Sequence, residues 1–285
     1  MEKDFNMSNT TIPFSVLMSV YHSEKPAFLD RAMQSIEDQT LKPTEFILVI
    51  DGPISTSLEK VIISHKKQNP ELYKIVRSVK NRGLGKALQL GTRFVTTNWI
   101  ARMDSDDVAI NNRFQLQFSY IQNHPNIAVL GGQISEFWKS EDNIIGYRNV
   151  PTSSKLIKDY IIWRSPFNHP SVVIKKKSLE EVGGYRPFGK LEDYDLWVRI
   201  IQAGFEVDNL SSVLVNMRVD NGIYSRRGDW KNLNYVFRLR KELHKGGSVT
   251  IFQQYIGDAI MIANILIPSR VRKLIYQKIL HNSKF

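Results

Sequence analysis

Four short apolar runs, each followed by a segment of helical periodicity, constrain this chain more than any other feature. Phe14–Val20 and Phe46–Ile50 are apolar runs of strand length, and Tyr73–Val76 and Trp99–Met103 are largely apolar ones, interrupted by Lys74 and Arg102. Between them, Ala27–Gln39, Ser57–Lys67 and Lys86–Val95 carry apolar residues at helical spacing, as in Phe28, Ala32 and Ile36. Strands without polar alternation are buried on both faces, and strand–helix alternation with short loops predicts an α/β, doubly wound, mostly parallel sheet with flanking helices. Such sheets take ligands at the carboxyl ends of their strands. The second half reads as more mixed, with helices over Phe114–Gln122 and Asp193–Ala203 and strands over Ile127–Gly131 and Ser171–Ile174.

The chemistry-bearing residues sit where such a sheet would place them. Asp104-Ser105-Asp106-Asp107 follows the fourth apolar run directly. Carboxylates crowded at a strand end need a counter-charge, and a hard divalent cation with oxygen ligands supplies it. The same residues also suit an acidic turn capping a helix from about Ala109. The first run ends in Tyr21, whose ring suits stacking on a base or a place at the core rim. The second ends in Asp51-Gly52, an ordinary turn signal whose carboxylate suits a base N–H. Asn81-Arg82-Gly83-Leu84-Gly85-Lys86 is a basic, glycine-bearing helix entrance fitted to phosphate, or a plain loop. Glu192 and Asp193 open a helix, where acids offset the dipole or where one serves as general base. Gly183-Gly184-Tyr185 makes a turn with an aromatic platform, and His169 suits a structural role as well as a functional one.

Charge limits the partners. Thirty-nine Lys and Arg against 28 Asp and Glu leave +11 over 285 residues, which points to an anionic partner. Nucleic acid is disfavoured, because the positive charge is dispersed and the acidic cluster repels phosphate unless it holds metal. Cysteine is absent, excluding disulfides and thiolate metal sites. Neither a secretory leader nor a membrane-spanning run is visible, so the expected location is cytoplasmic. From Ala259 onward no acidic residue occurs, while Arg270, Arg272, Lys273, Lys278 and Lys284 interleave with apolar positions. That pattern suits a basic amphipathic helix on an anionic leaflet, or a helix packed on protein.

In series, Ser19-Val20-Tyr21, Val49-Ile50-Asp51-Gly52, Asn81-Arg82-Gly83-Leu84, Asp104-Ser105-Asp106-Asp107, His169-Pro170-Ser171, Gly183-Gly184-Tyr185 and Glu192-Asp193 resemble the family 2 glycosyltransferases of the GT-A fold, over about Phe14 to Asp229. The late run Arg218–Gly222 with Ser225–Gly228 is similar to bacterial members that build O-antigen, capsule or exopolysaccharide. The resemblance implies a flexible N-terminus at 1–12 and a catalytic domain at 13–229. Its nucleotide-binding half is about 13–107 and its acceptor-binding half about 108–229; a C-terminal helical extension follows at 230–285. It implies an inverting enzyme moving a sugar from a nucleotide-diphosphate donor to a hydroxyl of a glycan, with a polyprenyl-diphosphate-linked acceptor. Tyr21, Asp51, Arg82, Lys86 and Asp104 would bind a nucleotide, usually a uridine one. Asp106, with Asp104 and Asp107, would hold Mn²⁺ or Mg²⁺, and Asp193 would be the base. Glu192, Gly184, Tyr185 and His169 would hold the acceptor, and Arg226 and Arg227 would close over the diphosphate. Two departures stand out: Asp220 lies where many relatives have a histidine, and Ile50 where many have a second aspartate. The competing expectation is a nucleic-acid-binding protein or a non-catalytic scaffold using the basic surface.

Overall fold

The computed structural model describes residues 12–219, 233–246 and scattered positions from 250 to 262. The expectations for Asp220, Arg226 and Arg227, for the basic residues from Arg270 onward and for nearly all of the N-terminal segment lie outside them.

The four apolar runs form β1 (Ser15–Val20), β2 (Glu45–Asp51), β3 (Tyr73–Ser78) and β4 (Trp99–Asp104). They pair in parallel in the order β3-β2-β1-β4. Their crossovers are α1 (Pro26–Glu37), α2 (Thr56–Gln68) and α3 (Leu84–Thr92). Strand alternation sorts the apolar side chains into two layers. Val16, Met18 and Val20 pack with Leu29, Met33 and Ile36 of α1 and Leu58 of α2. Leu17, Ile47 and Val49 face the opposite layer, with Ala87 and Leu88 of α3. There α3 lies so close that a Cβ on Gly91 would stand 2.4 Å from Leu17 Cδ1 and 2.6 Å from Val49 Cγ2.

After β4 the chain makes a detour. After three intervening residues, Ser105 to Asp107, it enters β5 (Val108–Ala109), which pairs with the far end of the same sheet rather than with β4. Helix α4 (Arg113–Asn123) returns it to β6 (Ile127–Phe137), buried along its whole length, and the hairpin partner β7 (Ile144–Arg148). Helix α5 (Ser154–Tyr160) and a 3₁₀ turn at His169–Ser171 lead to β8 (Val173–Lys175), and α6 (Lys176–Glu181) and α7 (Glu192–Gln202) precede β9 (Glu206–Arg218). The main path reads β3-β2-β1-β4-β8-β6-β9-β5, with β8 antiparallel to both neighbours and β6 parallel to β9. One sheet thus runs through both halves, covered by α1, α2 and α4 on one face and by α3, α7 and α8 (Leu233–Lys245) on the other.

The residues near Ala109 are strand rather than helix, and α4 begins at Arg113. The long β9 carries no apolar run in sequence, because its register slips against β6 at several points and interrupts the alternation.

Candidate active site

The carboxyl ends of β1, β2 and β4 open into one cleft of about 790 Å³, within the size range of small-molecule sites. Tyr21, Asp51, Asp104, Asp106 and Asp107 all line it.

At the β1 end, a turn closed by Glu24 N donating to Tyr21 O (3.1 Å) leaves the Tyr21 ring 44% exposed over the cleft. At the β2 end, Asp51 is only 3% exposed. Its Oδ1 accepts from Arg82 N (2.9 Å) and its Oδ2 from Gly83 N (2.9 Å), so the carboxylate orders the loop from β3 to α3. Gly52 makes this fit possible: its φ is +87°, and a Cβ there would sit 2.5 Å from Asn81 N. Asn81, Gly83 and Leu84 reach the cleft wall, whereas the side chains of Arg82 and Lys86 point to solvent outside it.

At the β4 end, Arg102 is buried and ion-paired with Asp104. Asp107 is buried as well, and its Oδ1 accepts from Arg218 N (2.9 Å). Burial, then Asp106 and Asp104, pushes the Asp107 carboxyl well above the carboxylate range. Burial, then Asp104 and Glu24, pushes Asp106 up to about 7. The cluster is therefore short of positive charge even with Arg102 beneath it. Among the described residues no set of three or more Asp, Glu or His forms a ready-made metal cage. A Mg²⁺- or Mn²⁺-type ion needs only one or two carboxylates plus substrate phosphate oxygens, and the charge-starved, oxygen-only donors here fit that arrangement.

Glu192 and Asp193 start α7 behind Lys190, which lines the cleft; neither carboxylate lines it itself. Both feel Asp104 and Arg102. Burial, then Asp193, raises Glu192 to about 7, and its Oε2 is buried without a hydrogen bond among the described residues. Burial raises Asp193 to about 6, with backbone hydrogen bonds and Arg102 acting against it. A carboxyl tuned upward toward neutrality suits proton transfer. His169 and Tyr185 are placed together, His169 Nε2 lying 3.0 Å from Tyr185 Oη, and both are packed beneath the site. Burial, then Arg102, lowers the imidazole well below its usual value and keeps it neutral. The Gly183-Gly184 turn is held from α7, where Arg199 donates to Gly184 O at 2.8 Å and pairs with Asp195.

Several cleft residues escape the sequence reading. Glu24 accepts from Ser105 Oγ (2.5 Å) and so ties the Tyr21 loop to the acidic turn; its position three residues after Tyr21 was the available signal. Arg102 stands two residues before Asp104, on the same side of a strand, a period-2 signal. Arg218 donates from Nε to Asp106 O (3.0 Å) and lies 3.9 Å from the centre of the Phe28 ring. Trp138 and Lys139 also line the cleft. Arg218 heads the late run noted in the sequence, though its contact with the acidic turn was not foreseen, and no local signal marked Trp138 or Lys139.

A GT-A-type sheet with a carboxylate turn at its ligand edge defines a glycosyltransferase fold. The sequence profile described as "Glycosyl transferase family 2" matches residues 15–183, and the chain belongs to that family. It is 38% identical to an "Uncharacterized glycosyltransferase" of Haemophilus influenzae, over 94% of this chain and 98% of that one. Identity is 35% to the "Amylovoran biosynthesis glycosyltransferase AmsE" of Erwinia amylovora, over 93% and 98%. It is 32% to the "UDP-Gal:alpha-D-GlcNAc-diphosphoundecaprenol beta-1,3-galactosyltransferase" of Escherichia coli, over 96% and 98%. Among solved structures, the mannosyltransferase PcManGT of Pyrobaculum calidifontis, in complex with GDP-Man and Mn²⁺, superposes with a TM-score of 0.64 at 14% identity, covering 97% of this chain and 77% of that one. This likeness shows the shared fold.

Proposed function

We propose that the protein moves a sugar from a nucleotide-diphosphate donor, a UDP-sugar, to a hydroxyl of a lipid-linked glycan in bacterial surface-polysaccharide synthesis, with inversion at the anomeric carbon. The observation that carries this reading is the pair of charge-starved carboxyls, Asp106 and Asp107, beside Asp104 in the cleft that also holds Tyr21 and Asp51. The names of the Erwinia and Escherichia coli relatives support the pathway class, and the latter also supports the donor and acceptor types. The Mn²⁺ complex of the Pyrobaculum structure supports a divalent metal.

In this reading Tyr21 stacks on the base and the Asp51-ordered loop borders it. Asp106, with Asp104 and Asp107, holds Mn²⁺ or Mg²⁺, which supplies counter-charge to the departing diphosphate. Arg226 and Arg227 are assigned to the donor phosphates; Arg82 and Lys86, whose side chains stand outside the cleft, are left without a direct role. Gly184, Tyr185, His169 and Glu192 shape the acceptor side. Asp193 accepts the proton of the attacking hydroxyl as the new C–O bond forms and the bond to the diphosphate oxygen breaks. A single displacement inverts the centre.

We place the enzyme in the cytoplasm, peripheral to the membrane. No described helix is long and apolar enough to cross a bilayer. Ile251, Phe252, Tyr255 and Ile256 are exposed at helical spacing just before the basic tail, which supports contact of that segment with an anionic leaflet.

Calorimetric titration of UDP with and without Mn²⁺ tests the reading. Metal-dependent binding lost in Asp106→Ala is expected. Binding of no nucleotide, with GDP and dTDP tried alongside, would sink it.

A further inference from the structure

The hairpin of β6 and β7 contributes a wall of the cleft to which the proposed function gives no role. Its turn carries Trp138 and Lys139 to the cleft. The turn is well held: Trp138 N donates to Asn143 O (3.1 Å), and Asn143 Nδ2 donates back to Trp138 O (3.1 Å). Glu141 takes two hydrogen bonds from Arg31 of α1, at 2.7 and 2.9 Å. Lys139 has φ +64° and is the only non-glycine residue with positive φ among the described residues. Glycine or asparagine would relieve that strain, so a lysine here keeps its charge against a backbone preference. Its side chain is exposed and makes no ion pair among the described residues.

The returning strand is apolar and uncovered. Ile144, Ile145 and Tyr147 are 37%, 45% and 52% exposed. Ile145 and Tyr147 share one face of β7, and the strand starts at Ile144, which pairs with Phe137, the residue before Trp138, so this apolar strip begins beside the cleft wall. One hairpin thus presents a cation at the cleft followed by an exposed apolar strip. A soluble anion would leave the strip without purpose, and a bare bilayer would leave the cation in the cleft without purpose. An isoprenoid diphosphate matches both.

We infer that the β6–β7 hairpin is the docking subsite for the lipid carrier of the acceptor, with Lys139 against its diphosphate and Trp138, Ile145 and Tyr147 against its first isoprene units. This rests on the lipid-linked acceptor proposed above.

The test is cosedimentation of the full chain with phosphatidylcholine vesicles, plain or doped with undecaprenyl diphosphate, with UDP–Mn²⁺ calorimetry on the same proteins. Wild type is expected to sediment more with doped vesicles. Lys139→Ala should weaken that carrier-dependent binding about fivefold, the effect of one cation near a lipid phosphate. Tyr147→Glu should weaken it at least as much, and both variants should bind UDP as wild type does. Equal sedimentation with plain and doped vesicles would overturn the inference, as would loss of UDP affinity in Lys139→Ala. Carrier binding is read separately from UDP binding. Failure of wild type to bind UDP would therefore strike the transferase reading, and variants indifferent to carrier would strike the hairpin alone.

Discussion

The two halves of the sheet solve the same problem with different means. From β1 to β4 the strands are parallel and joined by helical crossovers, β1, β2 and β4 are buried along nearly their whole length, and the ligand groups lie on the loops at one edge. From β5 to β9 the strands change direction, carry buried polar residues such as Gln133, Ser135 and Glu136, and slip register. The regular half presents a ready edge for a nucleotide. The irregular half supplies Lys139, Lys190 and Arg218 to the cleft and sets α7, with its two raised carboxyls, behind it. Under the proposed function, base and metal binding fall on the regular half and the acceptor-side groups on the irregular half.

The most direct way to break that division is to compare one residue from each half. Asp193→Asn is expected to lower kcat about 10²–10⁴-fold while leaving UDP affinity unchanged. Tyr21→Ala should instead weaken UDP about tenfold through lost stacking, with a smaller effect on kcat. If Asp193→Asn lost UDP binding as well, the halves would not be separable. With the Asp193 carboxyl at about 6, kcat/KM should fall as pH drops through that value, because the base must be unprotonated to accept a proton. A pH–rate profile flat across that range would remove Asp193 as the base.

Smaller effects sharpen the same contrast. Gly52→Ala in the first half combines a φ of +87° with a contact of 2.5 Å to backbone, whereas Gly184→Ala in the second has φ +68° with open space around it. The first should cost about 1–3 kcal/mol and disturb UDP binding; the second should cost about 1 kcal/mol and spare it. Denaturant midpoints and UDP titrations measure both.

The smallest effect concerns His65, buried between α1 and α2, with Nδ1 2.9 Å from Glu37 Oε1 and Nε2 3.0 Å from Asp30 Oδ1. The two carboxylates outweigh burial and raise its pKa above 6.5. A raised folded pKa gives stability that is complete below the unfolded value and is lost as pH rises through the folded one. The urea midpoint of wild type should therefore fall on the alkaline side of neutrality relative to that of His65→Gln. Parallel curves for the two proteins would refute the charged imidazole.

Legibility in the sequence follows the same line. The parallel strands, their crossovers and the groups at their ends, Tyr21, Asp51 and Asp104–Asp107, could be read because burial of β1, β2 and β4 leaves largely apolar runs followed at once by the ligand groups. Helix α7 and its two carboxylates were legible from 3.6-residue spacing. β9 was not, since its interrupted register erases period 2, so Arg218 was noted only as part of the late run and not as a partner of the acidic turn. Trp138 and Lys139 sit in a turn whose importance depends on what faces it across the cleft, and no local pattern encodes that.

The detour after β4 has a wider consequence. β5 is only three residues from β4 in sequence but is the last strand on the far side of the sheet. The acidic turn is thus a short tether between two strands that the sheet's own order separates, and it can close only because the sheet curls back on itself. The placement of Asp106 and Asp107 thus depends on the pairing of β5 with β9 as well as on the end of β4. Substitutions along the β6–β9 seam, even far from the cleft, therefore bear on how that turn closes.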